Sequence, residues 1–269
     1  MAIWFTLFKK ELRLGWMAFM IFLILQLLLM GLGIFLNMRF GDHSNAAPMI
    51  IGMMLTICLL FYVPVYLLFN AIQERKTFHL WMQNPLPAWS MLLAKLAGAL
   101  VYFIVTTAVV GGYTWASIAL AQSKNLPPQL SLFRVAVLAA LVLLWCGIGG
   151  GVTFLFLWTA RRTMRSRIGK WSWLVLIVGI GIYSYVDNKL TQSGIFDFLT
   201  NWGHIPDASL IRFVFPQKAG LDGGTSGLFS DFSLGSDTLY LGSIVFDLLI
   251  TLIVFLITSW LTDHELEAS

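Results

Sequence analysis

The chain has 269 residues, of which 58% are hydrophobic and 11% are charged, and its formal net charge is +4. Soluble domains carry roughly 25% charged residues, so this chain has too few charges to cover a globular surface. Its apolar residues fall in several separate runs of membrane-spanning length. The composition therefore argues against one large soluble core and indicates an integral membrane protein.

The apolar runs predict an all-α fold, a single polytopic transmembrane domain over residues 1–269 with six transmembrane helices. Residues 2–14 (AIWFTLFKKELRL) are too short and too charged to span, and their apolar residues recur at helical spacing. They predict an interfacial helix, with a helical extension of the first span as the alternative. The spans are predicted at 15–36, 49–71, 93–121, 132–158, 171–186 and 241–261, and 187–240 is predicted to be an extracytoplasmic segment.

The distribution of lysine and arginine predicts the orientation, because cytoplasmic loops are enriched in these residues. With the N-terminus in the cytoplasm, most of the 17 basic residues lie on that side, and an even number of spans returns the C-terminus to it. The cytoplasmic basic residues are then Lys9, Lys10, Arg13, Arg75, Lys76, Lys95, Arg161, Arg162, Arg165, Arg167 and Lys170.

The long segment 187–240 is not a simple linker. Parts of 195–215 are apolar enough to pack on the outer membrane face or to re-enter it, and a glycine-rich stretch, AGLDGGTSG, follows. That stretch lacks the Lys-Ser/Thr ending of a phosphate-binding loop, and GxxxxGK[ST] occurs nowhere in the chain. The chain is therefore not expected to bind ATP through that motif.

The connection between the second and third predicted spans is unusually rich in aromatic and charged residues. It reads QERKTFHLWMQNPLP from Gln73 to Pro87. A plain connector needs only a few residues. This one predicts a short amphipathic helix with aromatic anchors, which suits a docking surface for a cytoplasmic partner.

This region resembles the transmembrane subunits of ABC-2-type transporters. Those proteins carry a Glu-basic pair after the second span, a leucine-rich short helix, a small residue with a proline, and a lysine at the foot of the third span. The residues in matching order are Glu74-Arg75-Lys76, Leu80-Trp81, Asn84-Pro85 and Lys95, and LFKKELR is similar to the family's N-terminal elbow helix. The sequence departs from the pattern at Asn84-Pro85-Leu86-Pro87, a double proline, and at Thr77-Phe78, where a glycine is usual.

The resemblance implies a permease subunit of an ATP-driven exporter in the bacterial cell membrane. Two permease chains, identical or different, would pair around a central path, and a separate cytoplasmic ABC ATPase would bind ATP and magnesium. The cargo implied is an amphipathic peptide (an antimicrobial peptide, for example), an antibiotic or a lipid-like molecule. The implied ATPase contact is a cytoplasmic coupling helix with Glu74, Arg75, Lys76, Phe78, Leu80 and Trp81.

Within the spans, Asp247 is a carboxylate in the apolar run LGSIVFDLLITL. A charge buried there is costly, so Asp247 is a candidate for lining the substrate path or for holding two helices together. The alternative is that it lies near the outer headgroups. Gln26, Asn70 and the pair Tyr62 and Tyr66 are weaker candidates, and tyrosine near an interface is usually a membrane anchor. Gly147–Gly151, Gly179 and Gly181 predict close helix packing.

The remaining polar residues predict no chemistry of the chain's own. The four histidines lie one to a loop or tail without metal-ligand spacing, and no Ser/His/Asp grouping is evident. The basic run 161–170 is expected to bind membrane lipid rather than nucleic acid. The alternatives to a permease are a membrane-embedded lipid-modifying enzyme, which would need clustered polar residues at one depth, and a non-transporting sensor or immunity subunit.

Overall fold

The computed structural model describes residues 2–40, 46–74, 87–125, 132–192, 200–203 and 240–267, and these residues are almost entirely helical. Single 3-10 turns at Leu59–Phe61 and Gly169–Trp171 join successive helices. The α-helices are α1 (Ala2–Phe40), α2 (Ala46–Cys58), α3 (Tyr62–Glu74), α4 (Ala88–Asn125), α5 (Leu132–Ile168), α6 (Ser172–Gln192) and α7 (Leu241–Glu267).

Among the described residues, five helical segments are long and apolar enough to cross a membrane. They are Trp4–Arg39, Ala46–Glu74, Ala88–Leu120, Phe133–Arg165 and Leu241–His264. The chain is therefore an all-α membrane protein, as predicted. The predicted fifth span corresponds to Ser172–Val186, a shorter apolar segment at the start of α6, so six crossings are not confirmed.

The N-terminal residues do not form a separate interfacial helix. Residues 2–14 continue without a break into the first apolar run, so that α1 is a single helix of 39 residues. This is the arrangement that the alternative interpretation predicted. A helix of that length measures roughly 58 Å, well beyond a hydrocarbon core of about 30 Å, so one end of α1 must extend out of the apolar layer.

The second apolar run changes helical geometry in its middle. α2 and α3 form one rod, Ala46–Glu74, interrupted by the 3-10 turn Leu59–Phe61. Pro64 lies in the first turn of α3 and has no N–H to donate to the carbonyl of Leu60, four residues earlier. The tighter 3-10 turn lies at the point in the rod where this hydrogen bond is missing.

The core lies between α1, the α2–α3 rod, α4 and α5. α1 runs parallel to α4, since the Tyr102 hydroxyl donates to the Leu12 carbonyl (2.7 Å) and the Tyr113 hydroxyl to the Met30 carbonyl (3.2 Å). The rod runs antiparallel to α4, and Thr56 meets Thr114 at 3.3 Å between their hydroxyls. A belt of stacked and tilted aromatic rings fills the centre: Phe19, Phe22, Tyr62, Tyr66, Tyr102 and Phe103.

Glycines bring α5 close to the rod and α4, as predicted for the Gly147–Gly151 run. A Cβ on Gly151 would lie 2.7 Å from Leu96 Cδ1 and 2.9 Å from Val63 Cγ1. Gly179 and Gly181 behave differently, because a Cβ on either would meet no described atom within 4 Å. The packing role is therefore confirmed for Gly147, Gly150 and Gly151 on α5, and it is not seen for Gly149 or for the α6 glycines.

Gly15 on α1 provides the most direct test of this packing. An added methyl group there would overlap the Tyr66 hydroxyl, whereas one on Gly31 of the same helix would meet no described atom within 4 Å. We expect Gly15→Ala to destabilise the protein by about 1–3 kcal/mol through overpacking and Gly31→Ala to be neutral. Thermal unfolding in detergent measures both variants, and equal melting temperatures would contradict the described packing.

Candidate functional site

Four polar side chains meet inside the bundle at the end where α3 finishes and α4 begins. They are Glu11, Asn70, Glu74 and Lys95, with relative exposures of 1%, 2%, 8% and 7%. We call this group the polar clamp. Burial of charged side chains at such low exposure is rare unless they are paired.

Two polar contacts join three helices within the polar clamp. The Lys95 ammonium on α4 forms an ion pair with the Glu74 carboxylate on α3. On the neighbouring helix pair, Asn70 Nδ2 donates a hydrogen bond of 3.0 Å to Glu11 Oε2 on α1. Because removal of one partner strands the other in a buried site, these contacts fix the ends of α1, α3 and α4 relative to one another.

Helical periodicity explains why these four residues meet. Asn70 and Glu74 are four residues apart and so share one face of α3. Glu11 occupies the buried face of α1, and Lys95 occupies that of α4. The neighbours on these two faces are buried and nonpolar: Leu7, Gly15 and Ala18 on α1, and Ala88, Met91, Ala99 and Tyr102 on α4.

The charges of the polar clamp do not cancel when both carboxyl groups are ionised. Glu11 faces the positive charge of Lys95 and the negative charge of Glu74, and the exposed Lys10 ammonium adds a weaker positive contribution. The clamp itself thus holds two carboxyl groups against one ammonium.

The last helix, α7, is hydrogen-bonded to the start of α4, close to the polar clamp. The backbone N–H of Ala88, the first residue of α4, donates a hydrogen bond of 3.1 Å to Asp263 Oδ1 near the end of α7. The first N–H groups of a helix have no partner within it, and the Asp263 carboxylate also complements the positive end of the helix dipole. Residues 75–87 therefore connect two helix ends, Glu74 and Ala88, that are both held by neighbouring helices.

Of the six residues predicted to contact an ATPase, the structure describes Glu74. Its carboxylate is buried and directed at Lys95, so within this chain it joins two helices. The other predicted contact residues, Arg75, Lys76, Phe78, Leu80 and Trp81, lie outside the described residues. The polar clamp is thus directly adjacent to the predicted contact segment.

The residues predicted for a substrate path lie apart from one another. Tyr62 and Tyr66 are buried in the aromatic core, with ring centroids 6.3 Å apart. Asp247 is exposed on α7, and its backbone carbonyl accepts a hydrogen bond from the Thr251 hydroxyl (2.8 Å). The described residues do not bring the two tyrosines and Asp247 to a common surface.

Sequence reasoning missed Glu11 as a site residue. Its signal is present, because Glu11 follows Trp4 and Leu7 at seven and four residues and so lies on the apolar face of the N-terminal helix. A carboxylate on such a face indicates a buried partner. Which partner it meets depends on a contact across 59 positions of the chain, and one sequence does not contain that information.

Within the described ranges, no group of three or more His, Cys, Asp or Glu side chains could hold a metal ion. Comparisons of the chain with protein-family models, with curated proteins and with solved structures give no match.

The ion pair of the polar clamp can be tested by removing one charge and then both. Lys95→Met leaves the Glu74 carboxylate without this counter-ion, and we expect a loss of about 3–5 kcal/mol. The double variant Glu74→Gln/Lys95→Met should recover most of that loss. Lys10→Met, at an exposed lysine, is the control and should unfold like wild type. Thermal or denaturant unfolding in detergent is the measurement, and a double variant no more stable than Lys95→Met would contradict the pairing.

Proposed function

We propose that the protein is the permease subunit of an ATP-driven ABC exporter, with no catalytic chemistry of its own. The observation that carries this proposal is that both ends of residues 75–87 are held, Glu74 by the polar clamp and Ala88 by its hydrogen bond to Asp263. A subunit driven by a separate ATPase needs a segment that receives force and a rigid attachment of that segment to the membrane helices. Glu74 and Ala88 supply such an attachment, because each is bonded to a helix other than its own.

This attachment supports a specific route by which movement of residues 75–87 would reach the membrane helices. Displacement of residues 75–87 would act on α3 through Glu74 and on α4 through Ala88, and the clamp would pass it to α1 through Asn70 and Glu11. Helices that share buried polar contacts move as a unit, since separating them would expose unpaired polar groups. Such a unit can tilt between inward- and outward-open states.

In this proposal the ATPase contact is a coupling helix formed by Arg75, Lys76, Phe78, Leu80 and Trp81. Glu74, which is buried against Lys95, would position that helix. ATP and magnesium would be bound by the ATPase, in keeping with the lack of a GxxxxGK[ST] motif in this sequence. A second permease chain, identical or different, would complete the transport path.

The proposed topology has six spans, with α6 as the fifth, and both termini in the cytoplasm of a bacterial cell. It is supported by the shared location of Glu11, Glu74, Lys95 and Asp263 at one end of the bundle and by the basic residues of α5 near that end. Residues 2–14 would lie at the cytoplasmic headgroups as the elbow segment of α1, and 187–240 would be extracytoplasmic.

The cargo class we propose is an amphipathic peptide, an antibiotic or a lipid-like molecule. The apolar surfaces of α6 and α7 support it, since both helices expose mainly large apolar side chains. Asp247 interrupts this surface on α7. It would lie on the transport path if α7 faces the second permease chain. Tyr62 and Tyr66 would act only indirectly, through the packing of the aromatic core.

The ATPase contact is tested by co-purification. Phe78→Ala/Trp81→Ala should abolish co-purification of the ATPase subunit while leaving membrane insertion intact, because aromatic anchors dominate interface energies. Trp171→Ala is the matched control: Trp171 is an exposed tryptophan in the turn between α5 and α6, and its loss should leave co-purification unchanged. Unchanged recovery of the ATPase with the double variant would refute the assignment.

The transport role of Asp247 is tested in the reconstituted complex with its ATPase. Asp247→Asn removes the charge at nearly constant volume, and we expect altered stimulation of ATP hydrolysis by a cationic amphipathic peptide. Thr251→Val, one turn away on the same helix, removes a hydroxyl bonded to the Asp247 carbonyl and serves as the control. A wild-type response of Asp247→Asn would place Asp247 outside the path.

A further inference from the structure

The polar clamp contains more acceptor oxygens than the described residues supply with donors. Glu11 Oε1 and Asn70 Oδ1 are buried acceptors, and neither has a hydrogen-bond partner among the described residues. Glu11 Oε2 already accepts from Asn70 Nδ2. Buried acceptors without donors are unusual in folded proteins, and here they belong to neighbouring residues of one cluster.

The charge balance indicates what this cluster lacks. With both carboxyl groups ionised, Glu11, Glu74 and Lys95 carry a net charge of −1 in a site from which solvent is excluded. An uncompensated buried charge is strongly unfavourable. The groups that face Glu11 are Lys95, Glu74, Asn70, Lys10 and Tyr66, and the buried positive charge among them, Lys95, is already paired with Glu74.

We infer that the polar clamp is a proton-binding site, in which the Glu11 carboxyl group holds one exchangeable proton at neutral pH. The Glu11 carboxylate takes up one proton to become a neutral acid, and the charge of the three ionisable groups changes from −1 to zero. The acid O–H then supplies the donor that the buried acceptors lack. A proton fits this site better than a metal ion, because the described residues place no group of three or more His, Cys, Asp or Glu side chains there.

Binding of this proton would govern the strength of the clamp. In the protonated state Glu11 no longer competes for the Lys95 ammonium, which pairs with Glu74 and holds the ends of α3 and α4 together. After deprotonation two carboxylates compete for one ammonium, and the pair that flanks residues 75–87 is weakened. The inference does not depend on the proposed transport function, since it concerns the chain by itself.

The direct test is infrared spectroscopy of the full chain in lipid nanodiscs at neutral pH. We expect the wild type to show the carbonyl stretch of a protonated, buried carboxyl group and Glu11→Gln to lack it. The glutamine carbonyl can still accept the Asn70 hydrogen bond, so this variant should fold. Asp263→Asn changes a half-buried carboxylate at the same end of the bundle and should retain the band. Identical spectra of wild type and Glu11→Gln would overturn the inference.

A second measurement separates a proton from another monovalent cation. The wild-type spectrum should be the same in sodium chloride and in choline chloride, and a band that appears only without sodium would assign the site to sodium instead.

Protonation of Glu11 in the folded state also determines the direction in which the melting temperature changes with pH. The folded protein then binds more protons than the unfolded chain, so its melting temperature should fall by about 3–5 °C as the pH rises from about 6 to about 9. Glu11→Gln should lose this fall, and an equal fall in both proteins would contradict the proton site.

Discussion

The requirement that buried charges find partners shapes one end of this bundle. In an apolar bundle, Glu11, Glu74 and Lys95 can be buried only where helices present complementary groups, and the three charges and Asn70 therefore converge. Their convergence fixes the relative rotation of α1, α3 and α4, because turning any of these helices would strand a charge in the core. The aromatic belt and the glycine contacts are compatible with that rotation.

The same constraint gives the proposed function its physical basis. Residues 75–87, to which the proposal assigns the ATPase contact, lie in the chain between Glu74 and Ala88, and both of these residues are bonded across helices. A flexible attachment would absorb a pull on residues 75–87, whereas this attachment would pass it to the helices. The proton site would add control at that point, because it changes the charge that holds the two helix ends together.

The positions of the helices could be predicted from the sequence, because apolar runs and their length are local properties. The predicted span 132–158 lies within α5 and the predicted span 241–261 within α7. The continuous α1 differed from the expected interfacial helix, since charges such as Lys9 and Lys10 do not prevent helix continuation. The polar clamp required contacts between residues far apart in the chain, and these cannot be read from a single sequence. Tyr66 illustrates the same difficulty, because its neighbour Gly15 determines that it packs in the core.

Hydrogen exchange of the backbone in nanodiscs tests most directly whether the polar clamp holds these helix ends together. In the wild type, the amides at the end of α3 and in the first turns of α4 should exchange slowly. Lys95→Met should accelerate exchange there and leave the far end, around Gly52 and Thr114, unchanged, since those residues pack on each other independently of the clamp. Exchange that is unaltered at the clamp, or accelerated equally along the whole bundle, would contradict the account.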